Sequence, residues 1–148
     1  MTSFNLVLDN AQAEKALATL EANGGDLSRP MEAIAELARS SIVRNFQVGG
    51  RYSEPGSLKG GTKKWKEKAD GTPSILTQST QLRDSIHPQS DRDSATIAAS
   101  AEYAAIHNFG GQTGRGRKVK MPARPFMVIQ ESDVENAKDI LVRHLLPP

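Results

Sequence analysis

Three histidines, His87, His107 and His144, are the first residues to test for chemistry, because the 148-residue chain contains no cysteine. None has a second histidine or a carboxylate at the helical spacing that places ligands on one face, so no metal site is expected. His107 falls on the expected inner side of a short helix, next to a glycine exit, which suits a hydrogen-bonded structural residue holding a loop better than an acid or a base. Asp91 and Asp93 are a close carboxylate pair, but they stand in a polar turn, where aspartate ordinarily bonds the turn backbone. Serines are plentiful, yet none occupies a nucleophile-elbow pattern with a histidine and an acid in a workable order. No catalytic residue, cofactor or small-molecule substrate is indicated by these residue types, and an enzyme is not the expected class.

Glycine and positive charge concentrate in "GGQTGRGRKVK" (110–120). Glycines let backbone N–H groups approach phosphate oxygens, but a nucleotide loop joins a strand to a helix and ends in Lys-Ser or Lys-Thr. Here a helix precedes and a proline-bearing extended segment comes after. Arg115, Arg117, Lys118 and Lys120 can make nonspecific contacts to DNA phosphates, and no aromatic residue interleaves to stack on bases. A net charge of +2 is too small to make the whole molecule a polyanion binder. The basic run gives way to "MPARPF". Pro122 and Pro125 push Met121 and Arg124 towards extended conformations and remove two backbone donors, so Met121, Pro122, Ala123, Arg124, Pro125 and Phe126 read as a rigid clip against a core or a neighbouring subunit. Its remaining N–H and C=O groups are expected to pair outward at a sheet edge. Arg124 is expected to make a charge-assisted hydrogen bond to a carboxylate or to helix-end carbonyls. Phe126 is expected in a core or an interface.

The elements that position these residues emerge from periodicity. Apolar residues make up 37% of the chain, and no stretch approaches the roughly 20 apolar residues of a membrane span. With no secretory signal pattern at the N-terminus, a soluble protein of intracellular synthesis is expected. One domain over 1–148 is the default at this length. "FNLVL" (4–8) alternates like a strand, and Asp9 or Asn10 can cap a helix through Ala13, Leu17 and Leu20. Met31, Ile34, Ala38, Ile42 and Phe46 lie on one face of a long helix that begins near Ser28, tolerates Pro30 in its first turn and ends at Gly49-Gly50. Residues 49–74 lose the pattern and read as a mobile loop anchored only by Tyr52 and Trp65. "ILTQSTQLRDSI" (75–86) reads as a helical turn leading into a strand, and a hairpin surrounds Ser90–Asp93. Ser100 can cap a short helix with Tyr103, Ile106 and His107 inward, and Gly110 and Gly111 supply a positive-φ exit; 111–120 is then a basic loop. Ser132–Glu135 forms a capping box for a last helix with Val134, Ala137, Ile140, Leu141 and Leu145 on its apolar side. The sum is an α+β domain: a small antiparallel sheet packed on one face by helices, with long basic loops.

In order, "ILTQSTQLRDSI", "YAAIHNFGG" and "MPARPFMV", succeeded by a capped helix, resemble the phage virion morphogenesis family, the tail-completion proteins of Mu-like and related phages and prophages. The resemblance covers about residues 34 to 146, and Trp65 matches the usual tryptophan of the family's variable segment. Where the family commonly has Thr-Gly, this chain has Ser79-Thr80, so a tighter or more helical turn is expected there. The resemblance implies a structural subunit, without catalysis, that forms a homo-oligomeric ring at the head-proximal end of the tail and completes the tail or joins it to the head. Implied partners are neighbouring tail or neck proteins and, for basic loops facing a ring lumen, phage DNA without sequence preference; no membrane is involved. The implied location is the host cytoplasm during assembly and the tail or neck of the virion. A DNA-binding accessory protein using Arg115 to Lys120 is the alternative. A cell-wall hydrolase would need an acid or metal site that the residues do not suggest.

Overall fold

The computed structural model describes Lys15 and residues 17–19, 26–52, 61, 63–65, 76–77 and 79–145. The strand expected at 4–8 and most of the helix expected after it lie outside the described residues. Residues 17–19 are helical, and Leu17 packs against the cluster around Leu27 and Ile34.

The long helix α1 (Ser28–Val48) takes the expected limits. Asp26 starts it by accepting the Ser28 N–H at 2.9 Å. Gly49 ends it at φ 75°, and the next N–H, of Gly50, returns to the Asn45 carbonyl at 2.8 Å. One short turn, α2 (Gln81–Asp84), leads into strand β1 (Ile86–Ser90), which pairs antiparallel with β2 (Ala95–Ala99) from Ile86 opposite Ala99 to Ser90 opposite Ala95. Thr80 enters α2 at φ +56°, in the left-handed region that glycine favours. Then come helix α3 (Ala104–Phe109), strand β3 (Gly111–Thr113), a 3₁₀ turn at Arg115–Arg117, strand β4 (Val119–Met121) and helix α4 (Glu131–Leu145). The fold is α+β with two small two-stranded antiparallel sheets.

α1 divides its apolar face between two partners. Its C-terminal half sends Ala38, Ile42 and Phe46 against Ile86 and Ile97 of the first sheet and against Trp65 and Phe126. Its N-terminal half sets Ile34 and Ala35 against Ala137 and Leu141 of α4. Phe46 is central: its ring meets Trp65 edge-on at 5.5 Å and Phe126 at 5.3 Å.

Several local expectations change. Trp65 is 2% exposed, and Tyr52 bridges Lys63 antiparallel, so these described parts of 49–74 are built into the body rather than left mobile. Ser100 does not cap α3. Its N–H is drawn to the Ser85 carbonyl at 3.0 Å, and the helix starts after Tyr103 without a side-chain cap. Tyr103 is 40% exposed rather than inward. The capping box at α4 is displaced by two residues: the Asp133 carboxylate accepts the Gln130 N–H at 2.8 Å, because the helix begins at Glu131. The basic run 111–120, expected as a loop, is a paired hairpin with Gly111 opposite Met121 and Thr113 opposite Val119.

Candidate functional site

Pro122 and Pro125 keep residues 122–130 out of both sheets, yet the ribbon's backbone groups pair inward. The Arg124 N–H donates to the His107 carbonyl at 2.8 Å. Asn108 Oδ1 accepts the N–H groups of both Phe126 and Met127 at 3.0 Å. The Trp65 indole N–H donates to the Pro125 carbonyl at 2.8 Å, and Asn45 Nδ2 donates to the carbonyls of Phe126 and Val128 at 2.7 and 3.3 Å. Side chains from α1, α3 and the Trp65 segment therefore perform the task that a neighbouring strand would otherwise perform. This corrects the outward-pairing edge expected from the sequence. Phe126 is fully buried and Arg124 is 7% exposed; Met121, Pro122 and Pro125 are half-buried, leaving Ala123 as the exposed residue of the six.

Behind the ribbon, a polar network joins three elements. Arg51 Nε donates to Asn45 Oδ1 at 2.9 Å, and its Nη2 donates to the Ser41 carbonyl at 2.8 Å and to Ser41 Oγ at 3.0 Å. Ser41 Oγ donates to Asp133 Oδ2. Gln130 closes the circuit through its side-chain N–H to the Arg51 carbonyl at 2.7 Å. Burial pulls the Arg51 guanidinium below its ordinary value, and the Asp133 charge works in the opposite sense. Sequence reasoning missed Asn45, Asn108, Arg51 and Gln130. The signal available was a polar residue inside an apolar stripe: Asn45 lies three residues after Ile42 and is completely buried.

A concavity of about 290 Å³ opens beside the ribbon, lined by Leu76, Ser79, Leu82, Tyr103, His107, Met121 and Arg124. It brings together Tyr103, His107, Met121 and Arg124, which the sequence had singled out separately. Among the described residues no carboxylate lines it, and no group of three or more metal-capable side chains occurs. The Tyr103 and His107 rings meet edge-on at 5.7 Å. His107 Nδ1 is buried without a hydrogen-bond partner among the described residues, so the residue holds the ribbon through its carbonyl and its ring packing rather than through this ring nitrogen.

Burial lowers the His107 pKa from its ordinary 6.5, and the nearby Arg124 charge lowers it further. The folded chain thus gives up this proton more readily than the unfolded chain. The contribution to stability is complete above the unfolded value, falls as pH drops through it towards the lower folded value, and is level below that. His107→Gln should remove this loss. Melting curves of the two proteins between about pH 7.5 and 5 should separate as the solution is acidified, the parent losing more. Parallel curves would show that His107 is not the group responsible.

Gly110 is the joint between α3 and the hairpin. It adopts φ +73° and ψ −176°, a combination that is essentially glycine's alone. A Cβ there would sit 2.8 Å from the Ala123 backbone nitrogen and 2.9 Å from the Met121 carbonyl oxygen. Because those are backbone atoms of the anchored ribbon, they cannot turn aside. Gly110→Ala is expected to cost at least about 1–3 kcal/mol, measured by urea denaturation; an unchanged midpoint would contradict the joint's rigidity.

Beyond Gly110 the hairpin stands away from the core. Thr113 is half-buried and Met121 closes the base, while the residues between Gly114 and Lys120 are all exposed. The four cations expected to contact DNA, Arg115, Arg117, Lys118 and Lys120, all lie on this arm, and none has an ion pair among the described residues.

The model of the phage virion morphogenesis family matches residues 8–146. The chain is 38% identical over 105 residues to Mu-like prophage FluMu G protein 2 of Haemophilus influenzae, an alignment covering 70% of this chain and 67% of that protein. No solved structure matches the chain.

Proposed function

The chain belongs to the phage virion morphogenesis family, and from that premise we propose that it completes the tail or joins tail to head, as a ring-forming subunit at the head-proximal end of the tail. Its role in the virion is structural, and the proposal assigns it no catalytic step. Neighbouring tail or neck proteins are the proposed partners, met in the host cytoplasm during assembly. The supporting observation is that the family match at 8–146 spans both the inward-anchored ribbon and the projecting arm. A stiff platform carrying an arm suits repeated docking, because little order has to be gained on contact. The ribbon's part is to hold the arm's root; Ala123 is the most exposed residue of the six. Among the described residues no helix is long and apolar enough to cross a membrane.

Lysates of phage lacking this chain are expected to contain filled heads separate from unjoined or abnormal tails under the electron microscope. Normal joined virions would reject the proposal. A second reading, nonspecific DNA contact, draws on the exposed cations of the arm. It requires steeply salt-dependent binding of duplex DNA by the isolated chain.

A further inference from the structure

We propose that the basic arm of one copy docks on the acidic outer face of α4 of the next copy, an inference that rests on the ring-forming reading above. Two complementary surfaces lie on the same chain. No carboxylate occurs in the sequence between Glu102 and Glu131, so the arm's positive field is undiluted by local acids. On α4, Glu131, Glu135 and Asp139 succeed one another at intervals of four, which aligns them along one face, and all three are exposed. Only Glu135 of these has an ion pair among the described residues, to Lys138 at 2.9 Å. Neither surface satisfies the other within one chain, since no ion pair among the described residues joins arm to α4.

The arm also carries apolar surface that phosphate would not match. Val119 is 56% exposed in β4, and Phe109, at its root, is 68% exposed. On α4, Val142 lies three residues after Asp139 and seven after Glu135, so it shares the acidic face, and it is half-buried. Exposed or half-buried apolar side chains accompany the charges on both surfaces, which favours a second copy of this chain over a nucleic acid. Because arm and helix are different patches, the contact is head-to-tail, and repeating it generates a ring where the rotation closes. A two-stranded hairpin of this size has little stability of its own. Pinning at Gly110 and the ribbon gives it a fixed direction, so docking does not have to order it.

The test uses the purified full chain and two sets of charge reversals at exposed positions. The arm set is Arg115→Glu, Lys118→Glu and Lys120→Glu; Arg117 is retained because its φ of 55° makes that backbone sensitive to substitution. The helix set is Glu135→Lys and Asp139→Lys; Glu131 is retained because a carboxylate favours the start of a helix. Sedimentation of the parent chain should show concentration-dependent association that weakens with added salt. Each set alone should lower the association constant by at least about tenfold, while the variant remains cooperatively folded. Mixing the two variant proteins should restore association, since each then offers the other an opposite partner on both surfaces. A parent chain that stays monomeric at all salt concentrations, variants that associate like the parent, or a mixture that stays apart would overturn the inference. Duplex DNA bound by the monomer and lost in the arm set, with no self-association, would also overturn it in favour of the nucleic-acid reading. Complementation of phage lacking the chain separates the two levels. Rescue of joined virions by a parent chain that does not self-associate would sink the docking inference and leave the morphogenetic role standing. Self-association by a chain the virion does not need would instead overturn the proposed function.

Discussion

Phe126→Ala is expected to destabilise the chain by about 3–5 kcal/mol, lowering the melting temperature by about 6–20 °C for a protein of this size. The side chain is completely buried. Its ring lies 5.3 Å from that of Phe46, which also contacts Trp65, so truncation opens a space bordered by two large rings and by the first sheet. Those neighbours cannot collapse into it cheaply. Phe46 belongs to α1, and the Trp65 indole is tied to the Pro125 carbonyl only one residue away in the chain. Phe126→Leu, which fills most of the volume, should recover a substantial part of the loss. Thermal unfolding of the three proteins measures the series. A Phe126→Ala protein within about 1 kcal/mol of the parent would place it outside the range for buried phenylalanine and contradict the central position given to this ring.

Asn108→Ala is expected to cost about 2–6 kcal/mol, because two backbone donors lose their acceptor at once and each orphan costs about 1–3 kcal/mol. The Phe126 and Met127 N–H groups both converge on Asn108 Oδ1, and the ribbon there has no neighbouring strand to offer another carbonyl. Asn108 is itself buried. Unlike the loss at Phe126, this loss is not one of volume, so Asn108→Leu, which restores bulk without an acceptor, should fare no better than alanine. A stable Asn108→Leu protein would show that the ribbon finds its partners elsewhere. Amide exchange at Met127 gives a local readout, since protection there depends on the Asn108 bond.

The long helix was readable in the sequence because its signals are local and mutually consistent. Pro30 is placed where a helix tolerates it, the apolar residues recur at three and four, and Gly49 takes the left-handed exit. The hairpin around Asp91 and the positive-φ exit at Gly110 were legible for the same reason: turn chemistry is set by the residues of the turn themselves. The order of three motifs also carried the family, which the match over 8–146 then gave independently. The sequence left open the direction in which the ribbon's backbone groups point. Pro122 and Pro125 establish that residues 122–126 cannot join the middle of a sheet, but prolines do not choose between a partner chain and the protein's own core. That choice was made by Asn45, Asn108 and Trp65, which lie 81, 18 and 60 residues away from the groups they bind. No local pattern encodes contacts at such separations. Only the packing of α1, α3 and the Trp65 segment around Phe126 brings these polar groups to a backbone that would otherwise have lost its solvent without gaining a partner.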